Sequence, residues 1–231
     1  MENNGYVLIT GAGSGLGKSF AIELAKRNFP VVLVGRTKSK LDSVSNECGK
    51  NNSLVIVANV SKHDEVERCF NEANIWKGFP SIVISCAGEG VFGQVGNFTD
   101  DHIERVLSGN LIGTIFVSQK GFVEMKEKGG TIVNIMSTAA NMGRANESIY
   151  CAAKWGAKGF TESLRLETKG TKVKVIAVYP GGIQTPFWSE KCGMQPDTSS
   201  FMKPDELAKT LADNILDKQS LYVADIILNR I

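Results

Sequence analysis

Seven short apolar runs recur along the chain: YVLIT at 6–10, VVLVG at 31–35, LVIVA at 54–58, SIVIS at 81–85, TIVNIMS at 131–137, VKVIAVY at 173–179 and LYVADIIL at 221–228. Most are continuous rather than alternating, as in strands buried on both faces of a parallel sheet. Polar stretches of helix length separate them, with helix starts expected near Gly15, Lys38, Ser61, Thr99, Ser148 and Lys203. Ser61 and Asp64 have the spacing of a capping box. Strand alternating with helix predicts an α/β fold: a doubly wound, mostly parallel seven-stranded sheet with helices on both faces and right-handed crossovers. No internal repeat, low-complexity tract or linker divides the chain, so one domain over 1–231 is expected. The longest piece without periodicity is 184–202, QTPFWSEKCGMQPDTSSFM. A loop of that length is expected to be a lid or binding loop, the alternative being a plain surface connection.

Composition narrows the function classes. Lys plus Arg is 26 and Asp plus Glu is 24, a net charge of +2. That balance makes no broad electrostatic case for nucleic-acid or membrane partners. The cysteines (Cys48, Cys69, Cys86, Cys151 and Cys192) are odd in number and form no CxxC, so neither a disulfide framework nor a metal site is expected. The start, MENNGYVLIT, has no basic region followed by a long apolar stretch, and no run approaches the ~20 residues of a membrane helix. A reduced, cytoplasmic protein is the expectation.

The first run leads straight into TGAGSGLG, Thr10 to Gly17, with Phe20, Ala21 and Leu24 on an apolar helix face behind it. Glycines permit a tight turn and close approach of backbone to a pyrophosphate, and the helix N-terminus meets its charge. Gly11, Gly15 and Gly17 form GxxxGxG rather than GxGxxG. Residues 12–19, AGSGLGKS, also approach the phosphate loop of nucleoside triphosphatases, but Ala12 stands where that motif needs glycine. None of the runs at 31–35, 54–58, 81–85 or 131–137 ends in the acid that would hold magnesium.

Tyr150 and Lys154 stand four residues apart, which on a helix places them on one face, and Ser137 lies thirteen residues before the tyrosine. A tyrosine has an ordinary pKa of ~10 and is a poor acid near neutrality; a neighbouring ammonium would lower it. In order and interval, TGAGSGLG at 10–17, SCAG at 85–88, Asn110, Ser137, YCAAK at 150–154 and PGGIQT at 180–185 resemble the short-chain dehydrogenase/reductase family over nearly the whole chain. The resemblance implies a Rossmann-type fold and an oxidoreductase acting between a carbonyl and a secondary alcohol. It implies Tyr150 as general acid/base and Lys154 as the residue that lowers the tyrosine pKa and binds the nicotinamide ribose. Ser137 would polarise the substrate carbonyl, and Asn110 would hold a water linking Lys154 to solvent. The implied cofactor contacts are Gly11, Ser14, Gly15, Leu16, Gly17, Arg36, Asn59, Val60, Ala87, Gly88, Tyr150, Lys154, Pro180, Gly181, Ile183 and Thr185.

The chain departs from the family at Ser85 and Cys86, where two asparagines are usual. Ser85 is expected to donate a hydrogen bond within the sheet, and Cys86 to be a small buried hydrophobe. After the second run the chain reads Gly35, Arg36, Thr37, Lys38, with no acid before Asp42. An acid would suit the NAD ribose; Arg36 suits the NADP phosphate, so NADP is favoured over NAD. At 59, where the family usually has an acid, the Asn59 amide would meet the adenine. Phe92, Met142, Phe187 and Trp188 are candidates for an apolar substrate pocket, or for core or lid packing, and Arg144 for an anion contact or a surface salt bridge. A non-catalytic dinucleotide sensor is the alternative class, although it would be expected to have lost Tyr150 or Lys154. The stretches 99–126 and 149–169 carry apolar residues on more than one face: Ile112, Ile115, Phe116 and Phe122, then Trp155, Phe160 and Leu164. That pattern predicts a homo-oligomer built on those helices, which the resemblance implies to be a homodimer or homotetramer; the alternative is a monomer whose second face is covered by the loops at 89–98 and 184–202.

Overall fold

Successive side chains of a strand point to opposite faces, so the run YVLIT must bury both sides or neither. It buries both. The computed structural model describes residues 5–216 and 221–230. Among them are β1 (Tyr6–Thr10), β2 (Val31–Gly35), β3 (Ser53–Val57), β4 (Pro80–Ser85), β5 (Gly130–Ile135), β6 (Val173–Pro180) and β7 (Asp225–Leu228). They form one sheet in the order β3-β2-β1-β4-β5-β6-β7, and every pair is parallel.

The helices are α1 (Gly15–Lys26), α2 (Lys38–Cys48), α3 (His63–Lys77), α4 (Asp100–Leu107), α5 (Gly113–Met125), α6 (Ser148–Glu167) and α7 (Pro204–Leu216). Val7 and Ile9 face a core shared with Phe20 and Leu24 of α1, Leu41 and Val44 of α2, and Leu207 and Leu211 of α7. Tyr6 and Leu8 face the other core, with Val66 and Phe70 of α3, Val117 and Met125 of α5, and Leu164 of α6. Phe20 and Phe70, one on each side, are fully buried. Each such side chain is worth ~1.5–3 kcal/mol over leaving it in water.

The chain steps outward from β1 to β2 and β3, then returns to place β4 on the other side of β1. That reversal opens a crevice at the carboxyl ends of β1 and β4, where a doubly wound sheet binds its ligand. Among the described residues no helix is long and apolar enough to cross a membrane.

Several expectations shift. The last apolar run becomes a strand only from Asp225, while Tyr222 and Val223 pack on the first core as coil. The stretch 99–126 is continuous but carries a π-turn at Ser108–Ile112, centred on Asn110. No capping box forms at Ser61. The Asn59 Oδ1 accepts from both the backbone N–H and the hydroxyl of Ser61, and α3 starts later. The box occurs instead at Thr99, whose hydroxyl accepts from the His102 N–H while His102 Nδ1 accepts from the Thr99 N–H.

The apolar residues of these two stretches divide between core and surface. Phe116, Phe122, Phe160 and Leu164 all pack into the second core. Ile112 and Trp155 remain outside, 37% and 50% exposed.

Candidate active site

The glycine turn has its conformation forced at two points. Gly11 (φ +67°) and Gly15 (φ +53°) lie in the left-handed region that other residues rarely adopt. Gly17 is needed for space, because a Cβ there would collide with the carbonyl oxygen of Gly11. Ser14 caps α1 in extended conformation, yet its hydroxyl makes no bond to the helix. The first turn of α1 is left to meet an anion, and the turn it closes is a cradle that side chains would fill.

The turn is braced from both sides. A Cβ on Gly11 would lie 2.9 Å from Ala87 Cα, and one on Gly15 would lie 3.2 Å from Thr185. The hydroxyl of Thr10 accepts from the backbone N–H groups of Cys86 (3.0 Å) and Ala87 (3.1 Å). Thr10 therefore ties the end of β1 to the turn after β4. Sequence reasoning quoted Thr10 without giving it a role; its position as the last residue of the first apolar run was the available signal. Ser85, expected to donate within the sheet, is buried with its hydroxyl unpartnered. Burial pushes the Cys86 thiol up to about 12, which suits a small hydrophobe and not a nucleophile. The Lys18 ammonium pairs with Glu47 at 2.9 Å instead of facing the turn, which removes the triphosphatase reading's phosphate lysine.

Ser137 follows β5 and caps a short 3₁₀ turn, accepting from the Ala139 N–H at 3.1 Å. Its hydroxyl also acts on the Tyr150 phenol and favours its ionised form. Tyr150 and Lys154 share one face of α6, both buried. The Lys154 ammonium donates to the Ile135 carbonyl at 3.0 Å and lies 5.7 Å from the Tyr150 ring centre. Burial pulls Lys154 down to about 8, with the Cys86 thiol opposing. Burial also raises Tyr150 above its ordinary value, more than the Ser137 hydrogen bond lowers it. The expected lowering by Lys154 is therefore not what this geometry produces; desolvation dominates.

Asn110 projects from the π-turn, and its Nδ2 donates to the carbonyls of Glu89 (2.7 Å) and Val106 (2.9 Å). Its Oδ1 is buried without a partner and lies where a Cβ on Gly88 would collide with it. Asn110 thus clamps the turn after β4. Glu89 in that turn also reaches Arg105 at 2.7 Å and Arg36 at 3.6 Å, a cluster sequence reasoning missed.

The catalytic and cofactor-binding candidates line one cleft of about 1110 Å³: the glycine turn, Arg36, Asn59, Val60, Ala87, Gly88, Asn110, Ser137, Tyr150, Lys154, and Pro180, Gly181, Ile183 and Thr185 at and beyond the end of β6. Asn59 departs in one detail, since its Oδ1 is engaged by Ser61 and only the amide nitrogen is left for an adenine. The loop 184–202 closes the catalytic end. Phe187 packs 5.7 Å from the Tyr150 ring and 6.0 Å from Phe92, and Trp188 stacks on Phe92 at 5.6 Å. The Trp188 indole donates to the Ile183 carbonyl at 3.0 Å, which fixes the wall. Met142 and Arg144 also line the cleft, and Arg144 donates to the Thr138 hydroxyl at 2.7 Å.

The comparisons agree with this geometry. The chain is 32% identical over 234 residues to a sepiapterin reductase of Chlorobaculum tepidum, an alignment covering 96% of this chain and 94% of that protein. A short-chain dehydrogenase/reductase from Vibrio parahaemolyticus superposes with a TM-score of 0.86 at 36% identity, covering 97% and 99% of the two chains. A 3-ketoacyl-(acyl-carrier-protein) reductase from Brucella melitensis, complexed with NADH, superposes with a TM-score of 0.89 at 25% identity, covering 97% and 96%. The family model for short chain dehydrogenases matches residues 5–195, and the chain belongs to that family, an oxidoreductase acting on carbonyl and alcohol groups.

Proposed function

We propose that the chain reduces a carbonyl, or oxidises the matching secondary alcohol, with NADP(H) and with Tyr150 as general acid/base. The observation that carries this reading is the meeting of the Ser137 hydroxyl, the Tyr150 phenol and the Lys154 ammonium at one end of the cleft, with Arg36 at the other. A bound nicotinamide dinucleotide supplies or takes up the hydride. Ser137 donates to the substrate carbonyl and orients it. Tyr150 delivers the proton to the carbonyl oxygen in reduction and removes it from the hydroxyl in oxidation. Lys154 and Asn110 hold the proton path, Lys154 through its ammonium and Asn110 through a bridging water. The aromatic wall of Phe92, Phe187 and Trp188 receives the apolar part of the substrate and excludes water. A panel of carbonyls and alcohols followed by NADPH absorbance tests the reading. Absence of turnover across the panel, with NADPH bound, would favour a dinucleotide sensor.

NADP over NAD rests on Arg36, which lines the cleft at the end of β2 where NAD enzymes of this architecture carry an acid. Arg36→Asp is expected to move the ratio of kcat/KM for NADPH over NADH toward NADH by at least ~10-fold, a shift of ~1.4 kcal/mol. An unmoved ratio would remove Arg36 from the adenosine ribose.

The protein is proposed to be a cytoplasmic homodimer or homotetramer. The exposed Ile112 and Trp155 favour an isologous contact through α5 and α6, and the five cysteines are all free. Sedimentation equilibrium at micromolar concentration is expected to give twice or four times the chain mass, and a single species of monomer mass would exclude the assembly.

A further inference from the structure

We propose that Glu89 is a specificity-determining residue, holding Arg36 across the adenosine end of the cleft and competing with the cofactor 2′-phosphate for it. This rests on the reading that Arg36 faces the adenosine ribose. Arg36 stands at the end of β2 and Glu89 just past the end of β4, with β1 between them. Their side chains meet at 3.6 Å, so the pair spans the mouth of the crevice above the glycine turn. Neighbouring strands lie ~4.8 Å apart, so a contact from β2 to β4 bridges ~10 Å. An adenosine seated there meets both side chains.

The two partners differ in freedom. Arg36 is two-thirds exposed, 67%, and makes no other ion pair among the described residues. Glu89 is 24% exposed and held in place: its second carboxylate oxygen takes Arg105 at 2.7 Å, and its backbone carbonyl takes the Asn110 amide at 2.7 Å. Arg105 is itself held by Asp101 at 3.3 Å. The carboxylate is a fixed charge and the guanidinium the moving part. A 2′-phosphate must take Arg36 away from Glu89 and sit near that negative charge; a 2′-hydroxyl carries no charge to be repelled and can donate a hydrogen bond to it. Glu89 therefore weakens NADPH relative to NADH, which keeps both cofactors within reach of one site. An exposed arginine–carboxylate pair is weak, so the expected effect is modest.

Fluorescence titration of NADPH and NADH tests this with wild type, Glu89→Gln, Glu89→Asp, Arg36→Gln and the Arg36→Gln/Glu89→Gln double variant. Glutamine still accepts from Arg105, so the turn keeps its anchor. Glu89→Gln is expected to tighten NADPH ~2- to 5-fold and to give NADH no such gain. Glu89→Asp keeps the charge and is expected to retain the wild-type ratio. The gain from Glu89→Gln is expected to shrink in the Arg36→Gln background, where only the direct repulsion of the phosphate is left to relieve. An unchanged or weaker NADPH affinity, an equal shift of both cofactors, or a full gain without Arg36 each overturns the proposal alone. An Arg36→Gln variant with an unmoved NADPH/NADH ratio overturns the cofactor reading and this proposal with it.

Discussion

Tyr150→Phe is expected to lower kcat by ~10²–10⁴-fold and leave the NADPH dissociation constant unchanged. The substitution removes one oxygen and keeps the ring. The ring is what the fold uses, packed edge-on to Phe92 at 5.6 Å and tilted on Phe187 at 5.7 Å. The oxygen is what the chemistry uses, since it is the group on which the Ser137 hydroxyl acts. Ser137 keeps its bond from the Ala139 N–H, so its position should survive the change. Cofactor affinity is carried elsewhere, by the glycine turn and by Arg36. In free-energy terms the loss corresponds to ~3–5.5 kcal/mol of barrier. A variant that retained more than about a tenth of wild-type kcat would take Tyr150 out of the proton transfer. A variant that lost cofactor binding as well would show the phenol to be part of the dinucleotide site.

The sheet was legible because its signal is one-dimensional. A strand buried on both faces must be apolar nearly throughout, and YVLIT and VVLVG read that way before any contact is known. The glycine turn and the Tyr150/Lys154 pair were legible for a similar reason, since short fixed spacings carry their own geometry. What stayed hidden depends on segments far apart in the chain. Glu89 meets Arg36 only because the strand order brings the ends of β2 and β4 to either side of β1. Thr10 finds its partners 76 and 77 residues away. The cap expected at Ser61 lost to a closer competitor, the Asn59 side chain two residues back, a kind of local bond that spacing rules do not rank. Periodicity gave Phe116 and Phe160 an apolar face but not the core against which they pack. The direction of the Tyr150 shift was misjudged for a physical reason of the same kind. The charge of Lys154 is visible in the sequence, whereas the desolvation imposed by Phe92 and Phe187 exists only in the folded chain.

Lys154→Met is expected to cut turnover by ~10²-fold or more, as loss of a group in the proton path would, and to weaken NADPH binding. It also isolates a stability effect. Burial pulls the lysine from its ordinary value down to about 8, and the fixed Ile135 carbonyl does not offset the desolvation. Below pH ~8 the ammonium is held in both folded and unfolded chains, and the folded state carries the full cost of burying it. Between pH ~8 and ~10.4 the folded state has released a proton that the unfolded chain still binds, so that cost is progressively removed and stability rises with pH. Full relief corresponds to ~3 kcal/mol, taking 1.36 kcal/mol for each pKa unit. Methionine does not titrate, and the other ionisable groups cancel in the difference between the two proteins. Urea unfolding of both at pH 7 and again near pH 10 is therefore expected to show wild type gaining on the variant by ~1–3 kcal/mol as pH rises. A constant difference would mean that Lys154 keeps an ordinary pKa in the folded protein. A difference moving the other way would mean that a negative charge, and not desolvation, dominates its surroundings.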